Sequence, residues 1–178
     1  MLGIEELITW KHYVRNRLLE LIRRAGADKV FKEIKYGKEK VSPAHLLSRL
    51  DRTHRSFMNS IEKYGFQLGD DDQIFKKDPE KTVPIDQGAD TFVDVLQGNF
   101  EQMVNFIRQI EPENLSKPIE HPLIKAPLTM GWIIQYTTFH EMAVVSEIQT
   151  IFNFKGDAIN VPWATTRFMR PPKKIKLK

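Results

Sequence analysis

His54, His140 and Glu147 are the residues whose types and spacing could do chemistry together. Over residues 129 to 154, an advance of about 100° per residue places Ile133, Tyr136, His140, Val144, Glu147, Ile148 and Ile151 along one side of a helix. His140 and Glu147 therefore look toward a core, with Tyr136 beside them. A carboxylate facing a core is costly unless it is paired, hydrogen-bonded or bound to a metal. Earlier in the chain, His54 falls near the centre of an apolar stripe, with Arg49 on its flank and His45 on the far side. Two imidazoles and a carboxylate suit Zn²⁺, Ni²⁺ or Fe²⁺ with positions open to water or substrate. The same residues also suit a metal-free polar cluster, in which Glu147 lies at the stripe's edge and reaches an arginine or solvent. Both readings are open at the level of sequence.

Other arrangements carry less. His12 lies beside Lys11 and Arg15, and His121 precedes Pro122, so both read as solvated surface residues. The run His140-Glu141-Met142-Ala143-Val144 has valine where the H-E-x-x-H zinc-protease motif needs its second histidine. No G-x-x-x-x-G-K-[ST] or G-x-G-x-x-G loop is present to cradle phosphates. The chain has no cysteine, which removes thiolate zinc sites, disulfides and cysteine nucleophiles and agrees with a reducing compartment.

The elements that must position these residues are helices. Ile4, Leu7, Ile8, Trp10, Val14, Leu18, Leu21 and Ile22 recur at three- and four-residue steps over residues 3 to 25, ending at Arg23, Arg24 and Gly26. A short apolar segment around Val30, Phe31 and Ile34 continues it after a break. Ser42-Pro43 announces a second helix running to about Tyr64-Gly65, with Leu46, Leu47, Leu50, Phe57 and Ile61 inward. Residues 65 to 86, rich in charge, Gly and Pro, read as a long crossover loop. A third helix covers about Asp90 to Ile110 and stops before Pro112. A proline-containing connector without hairpin signals then leads to Thr129, the N-cap of a fourth helix ending near Phe154. Four long helices with two longer connections predict an all-α chain, a four-helix bundle over residues 1–160 with an extended basic tail over 161–178.

Charge and hydropathy limit the partners. Arg170, Lys173, Lys174, Lys176 and Lys178 exceed by themselves the whole formal net charge of +4, so the rest of the chain is close to neutral. The basic character belongs to the tail, and no basic face suited to a phosphate backbone is indicated. A tail docking onto nucleic acid or an acidic partner is the minor alternative. The start, MLGIEELITWKHYV, lacks the pattern of a signal peptide, and no apolar run reaches spanning length, so a cytoplasmic location without a membrane partner is expected.

Three blocks carry a resemblance: LLSRLDRTHRSFMNSI, NFEQMVNFIRQIEPENLSKPI and TMGWIIQYTTFHEMAVVSEIQTIF. With Gly-Trp entering the last helix and a His-Glu pair after it, the chain from Trp10 to about Phe154 resembles the DinB/YfiT-like proteins. The resemblance implies a four-helix bundle with a long crossover between helices two and three. It also implies a divalent metal held by one histidine of helix two and two of helix four. Some members use that metal to activate a thiol such as bacillithiol, mycothiol or glutathione, and many have no assigned activity. By position, His140 matches the first helix-four ligand, Val144 stands at the second, and Arg49 stands at the helix-two ligand. Ser146-Glu147 replaces the family's Gly-Gln. The expectation is a DinB-like protein with a degenerate metal site, its Arg49, Glu147 and His140 forming a metal-free cluster, that serves small-molecule binding or assembly as a homodimer. The alternative is a metal-dependent thiol S-transferase using His54, His140 and Glu147.

Overall fold

A computed structural model describes residues 3–36, 39–62, 89–121 and 124–154. The crossover expected at 65–86 and the tail at 161–178 lie outside the described residues. Helices dominate: α1 (Ile4–Ala25), a short α2 (Ala27–Phe31), α3 (Pro43–Glu62), α4 (Ala89–Arg108) and α5 (Met130–Phe154). α1 and α3 each pack against both α4 and α5. No helix of the described residues is long and apolar enough to cross a membrane.

The helix boundaries follow from capping chemistry. At the start of α1, the Glu6 carboxylate accepts the free Gly3 N–H at 3.0 Å. At its end, Gly26 adopts φ 78° and ψ 155° and donates its N–H to the Ile22 carbonyl. That backbone region is essentially open to glycine alone. Replacing Gly26 with alanine should lower stability by about 1–3 kcal/mol in urea unfolding although a Cβ there meets nothing within 4 Å, because the strain is in the backbone. α3 starts as expected, with the Ser42 hydroxyl accepting the His45 N–H at 3.2 Å. α5 starts likewise, with Thr129 Oγ1 accepting the Trp132 N–H at 3.2 Å. α4 tightens at its end, where Gln109 and Ile110 donate to carbonyls three residues back, short of the Pro112–Ser116 3-10 turn.

The two connectors correct the sequence reading. Val30 and Phe31 belong to α2, whereas Ile34 opens a small antiparallel hairpin, β1 (Ile34–Tyr36) with β2 (Glu39–Val41). The connector before α5 is a second hairpin, β3 (Pro118–His121) with β4 (Ile124–Thr129). His121 therefore ends a strand and does not lie in a free loop. In the sequence, neither Gly37-Lys38 nor Pro122-Leu123 is an Asn-Gly or Asp-Gly pair, the strongest short-range signal for such pairing. The second hairpin forms because Ile119 and Leu128, paired in register, bury themselves in the core beneath α3 and α5.

The core divides into two apolar clusters along the helix axes. One gathers Leu7, Phe57, Ile61, Phe100, Phe106 and Ile133. The other gathers Leu18, Leu21, Leu47, Phe92, Val144 and Ile148. Lys11, Arg15, His54, Thr137 and Glu141 come from the stretches of α1, α3 and α5 between those clusters and are buried.

Candidate functional site

The core of α5 is rotated from the expected stripe. Its most buried side chains are Met130, Ile133, Ile134, Thr137, Glu141 and Val145, while Tyr136, His140 and Glu147 are half-buried on the flank toward α3. The deeply buried carboxylate of this helix is therefore Glu141, with Glu147 nearer the surface.

Glu141 is reached from α1. Arg15 Nε lies 2.8 Å from Glu141 Oε1, and both side chains are almost wholly buried. The N–H is not directed along that contact and neither carboxylate oxygen accepts a hydrogen bond, so the attraction is that of an ion pair. The Arg15 guanidinium also lies 4.5 Å over the Phe100 ring. One turn earlier, Lys11 is 0 % exposed and donates from Nζ to Thr137 Oγ1 at 2.8 Å. Thr137 in turn donates its hydroxyl to the Ile134 carbonyl. Burial pushes the Lys11 amine down to about 7; Glu141 opposes that shift and Arg15 adds to it.

His54 brings α3 into this level of the core. It is buried, and its Nε2 has no hydrogen-bond partner. Burial holds its pKa well below the ordinary histidine value, and Lys11, Arg15 and His140 push the same way. His54 is therefore neutral at pH 7. A second buried ion pair on α3, Arg55 with Asp51 at 2.9 Å, is tied to α4 through Asn99, which donates to the Asp51 carboxylate.

From His54 a ladder of rings runs outward. The His54 and His140 centroids are 5.7 Å apart, the His140 and Tyr136 rings stack at 5.8 Å, and Tyr136 stacks on Trp132 at 5.0 Å. Phe57 closes on Tyr136 from α3 at 5.0 Å. The spacing of Trp132, Tyr136 and His140 at every fourth residue of one helix produces the stacking. His140 Nδ1 is buried without a partner, and burial, helped by Arg49, lowers the pKa of this histidine.

The residues singled out from sequence are thus only partly brought together. His54, His140 and Tyr136 meet in the ring ladder. Arg49 and Glu147 approach each other at 4.0 Å on the flank, 57 % and 33 % exposed. Among the described residues, no group of three or more His, Cys, Asp or Glu is placed to hold a metal ion. His12, read as solvated, is half-buried and stands edge-on to Phe100 at 5.2 Å.

Sequence reasoning missed Lys11, Arg15, Thr137 and Glu141. A signal was present: Leu7, Lys11, Val14, Leu18, Leu21 and Ala25 keep steps of four and three residues, so Lys11 occupies a core position of the α1 stripe. No family model matches the chain, and no curated protein or solved structure matches it either.

Proposed function

We propose that this chain is a DinB/YfiT-like four-helix bundle with a long crossover between its second and third long helices. In this reading the family's metal centre has been replaced by a charged, metal-free core. Its role is then small-molecule binding or assembly, and metal-dependent catalysis is not part of it. The observation that carries the reading is the pair of buried cationic side chains on α1, Lys11 and Arg15, at the level of His54 and Thr137. A divalent cation there would face both of them and Arg49 on the flank, with Val144 unable to ligate. The donor set of the described residues does not fit the implied metal, since Glu147 is engaged with Arg49 and no three-ligand group is assembled among them. At the outer end of the ring ladder Trp132 is 42 % exposed, which supports stacking of a small planar ligand there.

The thiol S-transferase reading draws on one observation, the unpartnered buried nitrogens of His54 and His140. Bound metal separates the two. After expression in medium supplemented with Zn, Ni, Mn and Fe, elemental analysis should find far less than one metal per chain. One metal per chain, lost in His140→Ala, would decide for the enzyme.

A further inference from the structure

Among the described residues, Lys11 is the one buried lysine. It lies on α1 between the two apolar clusters, and its hydrogen bonding leaves the amine lone pair free. Thr137 directs its hydroxyl proton at the Ile134 carbonyl, so toward Lys11 it can only accept, and Nζ is the donor of the 2.8 Å contact. An uncharged amine so placed keeps its lone pair off the hydrogen bond that anchors it. Burial also keeps much of the amine uncharged. With its pKa at about 7, about three quarters is neutral at pH 7.5, against about one part in a thousand for an ordinary lysine. Desolvation beside a second cation, here Arg15 one turn along α1, is a known way for a lysine to become a nucleophile.

We propose that Lys11 is a carbon dioxide site, its Nζ adding to CO₂ to form a lysine carbamate beside Arg15. The nitrogen lone pair makes the new N–C bond, one C=O electron pair moves onto oxygen, and one N–H proton leaves. Nothing is oxidised or reduced. The remaining N–H keeps the hydrogen bond to Thr137 Oγ1. An acceptor for the proton stands at the same level, since His54 Nε2 is buried with no hydrogen-bond partner. Burial first, then the charges of Lys11 and Arg15, keep His54 uncharged, and the carbamate puts an anion in place of the Lys11 cation. Charge balance favours this ligand. With Lys11 neutral, Arg15 and Glu141 cancel. With the carbamate formed and His54 protonated, two anions face two cations, so a core that excludes water gains no net charge. Access favours it too. Lys11 is 0 % exposed, so an aldehyde or a keto acid would have to part the helices to reach it, whereas CO₂ is a small, uncharged, apolar molecule of the kind that closed protein interiors admit.

Nuclear magnetic resonance of the full chain, with nitrogen-15 in its lysine side chains and equilibrated with carbon-13 bicarbonate at neutral pH, tests the proposal. It should show a carbamate carbon resonance split by the lysine nitrogen, rising toward one site per chain as bicarbonate saturates. The N-terminal amine also titrates near neutral pH, but its carbamate gives an unsplit signal. Lys11→Met should remove the split resonance while the circular-dichroism spectrum stays unchanged. A second measurement needs no variant. Unfolding the wild type in urea at the same pH returns Lys11 to an ordinary amine and should weaken the split signal by a factor of several hundred, roughly the ratio of the neutral fractions. No split resonance from the folded chain, its persistence in folded Lys11→Met, or its persistence in urea would each overturn the proposal.

Discussion

Replacing Glu141 with alanine should lower the stability of the folded chain by about 3–5 kcal/mol, read as a fall in the urea midpoint at constant slope. The cause is the company that Glu141 keeps. It is the carboxylate paired with Arg15 at 2.8 Å, and it also favours the charged form of Lys11. Its removal strands two cationic groups in a region from which water is excluded. Glu141→Gln, which keeps the shape and loses the charge, should cost nearly as much, because the penalty is electrostatic. By contrast, the double replacement Arg15→Met with Glu141→Leu should restore most of the lost stability. Removing both partners leaves only Lys11, whose pKa burial already lowers to about 7, without its nearby carboxylate, and exchanges of a buried ion pair for apolar residues are often close to neutral. A cost below about 1 kcal/mol for Glu141→Ala, the size of a surface pair, would show that water reaches this region and that the charges are screened.

Capping and periodicity made most of the helical architecture legible. Ser42, Thr129 and Gly26 terminate helices through specific hydrogen bonds or a backbone conformation, and each is a local event that the neighbouring residues determine. The second hairpin was not legible, because its pairing is tertiary in origin. Ile119 and Leu128 become a registered pair through the apolar surface that α3 and α5 offer them, and a strand segment of four or six residues has too few positions to show an alternating pattern.

The site was legible in its histidines and illegible in its charges. His54 and His140 do approach each other, as helical geometry on α3 and α5 predicts. The wheel of α5, however, was centred one residue too far toward α3. This helix is apolar around much of its circumference, so periodicity locates its inner face poorly. Trp132 and Phe139 weigh as heavily as core residues in such a pattern while facing outward. On α1 the difficulty was of another kind. Lysine and arginine are ordinarily assigned to the surface, and an aliphatic stem lets them occupy a core position only where a partner receives the charged end. Those partners, Thr137 and Glu141, lie more than a hundred residues away in sequence.

The second large effect concerns pH, and it comes from Lys11. The amine titrates at about 7 in the folded chain against 10.5 in its ordinary state, chiefly because burial disfavours its charged form. Below pH 7 the folded and unfolded states are both protonated, and the whole penalty of burying the cation is present. Between about 7 and 10.5 the unfolded chain holds one more proton than the folded chain, so stability rises with pH by about 1.4 kcal/mol per unit from this group. Above that window the gain is complete. His54 acts in the same direction on the acid side. Its folded pKa lies well below 6.5, so stability falls as pH drops below 6.5 and the unfolded histidine takes up a proton. Other groups titrate in the alkaline window too, and Lys11→Met separates them from Lys11. The methionine keeps most of the volume, and Thr137 remains hydrogen-bonded through its own proton to the Ile134 carbonyl, so no polar atom is newly stranded. Urea unfolding from pH 6.5 to 9.5 should show the variant more stable than the wild type at the acid end, with the difference closing by about 1.4 kcal/mol per pH unit above 7. Parallel profiles for the two proteins would mean that Lys11 keeps an ordinary amine pKa and that its charge is hydrated in the folded chain.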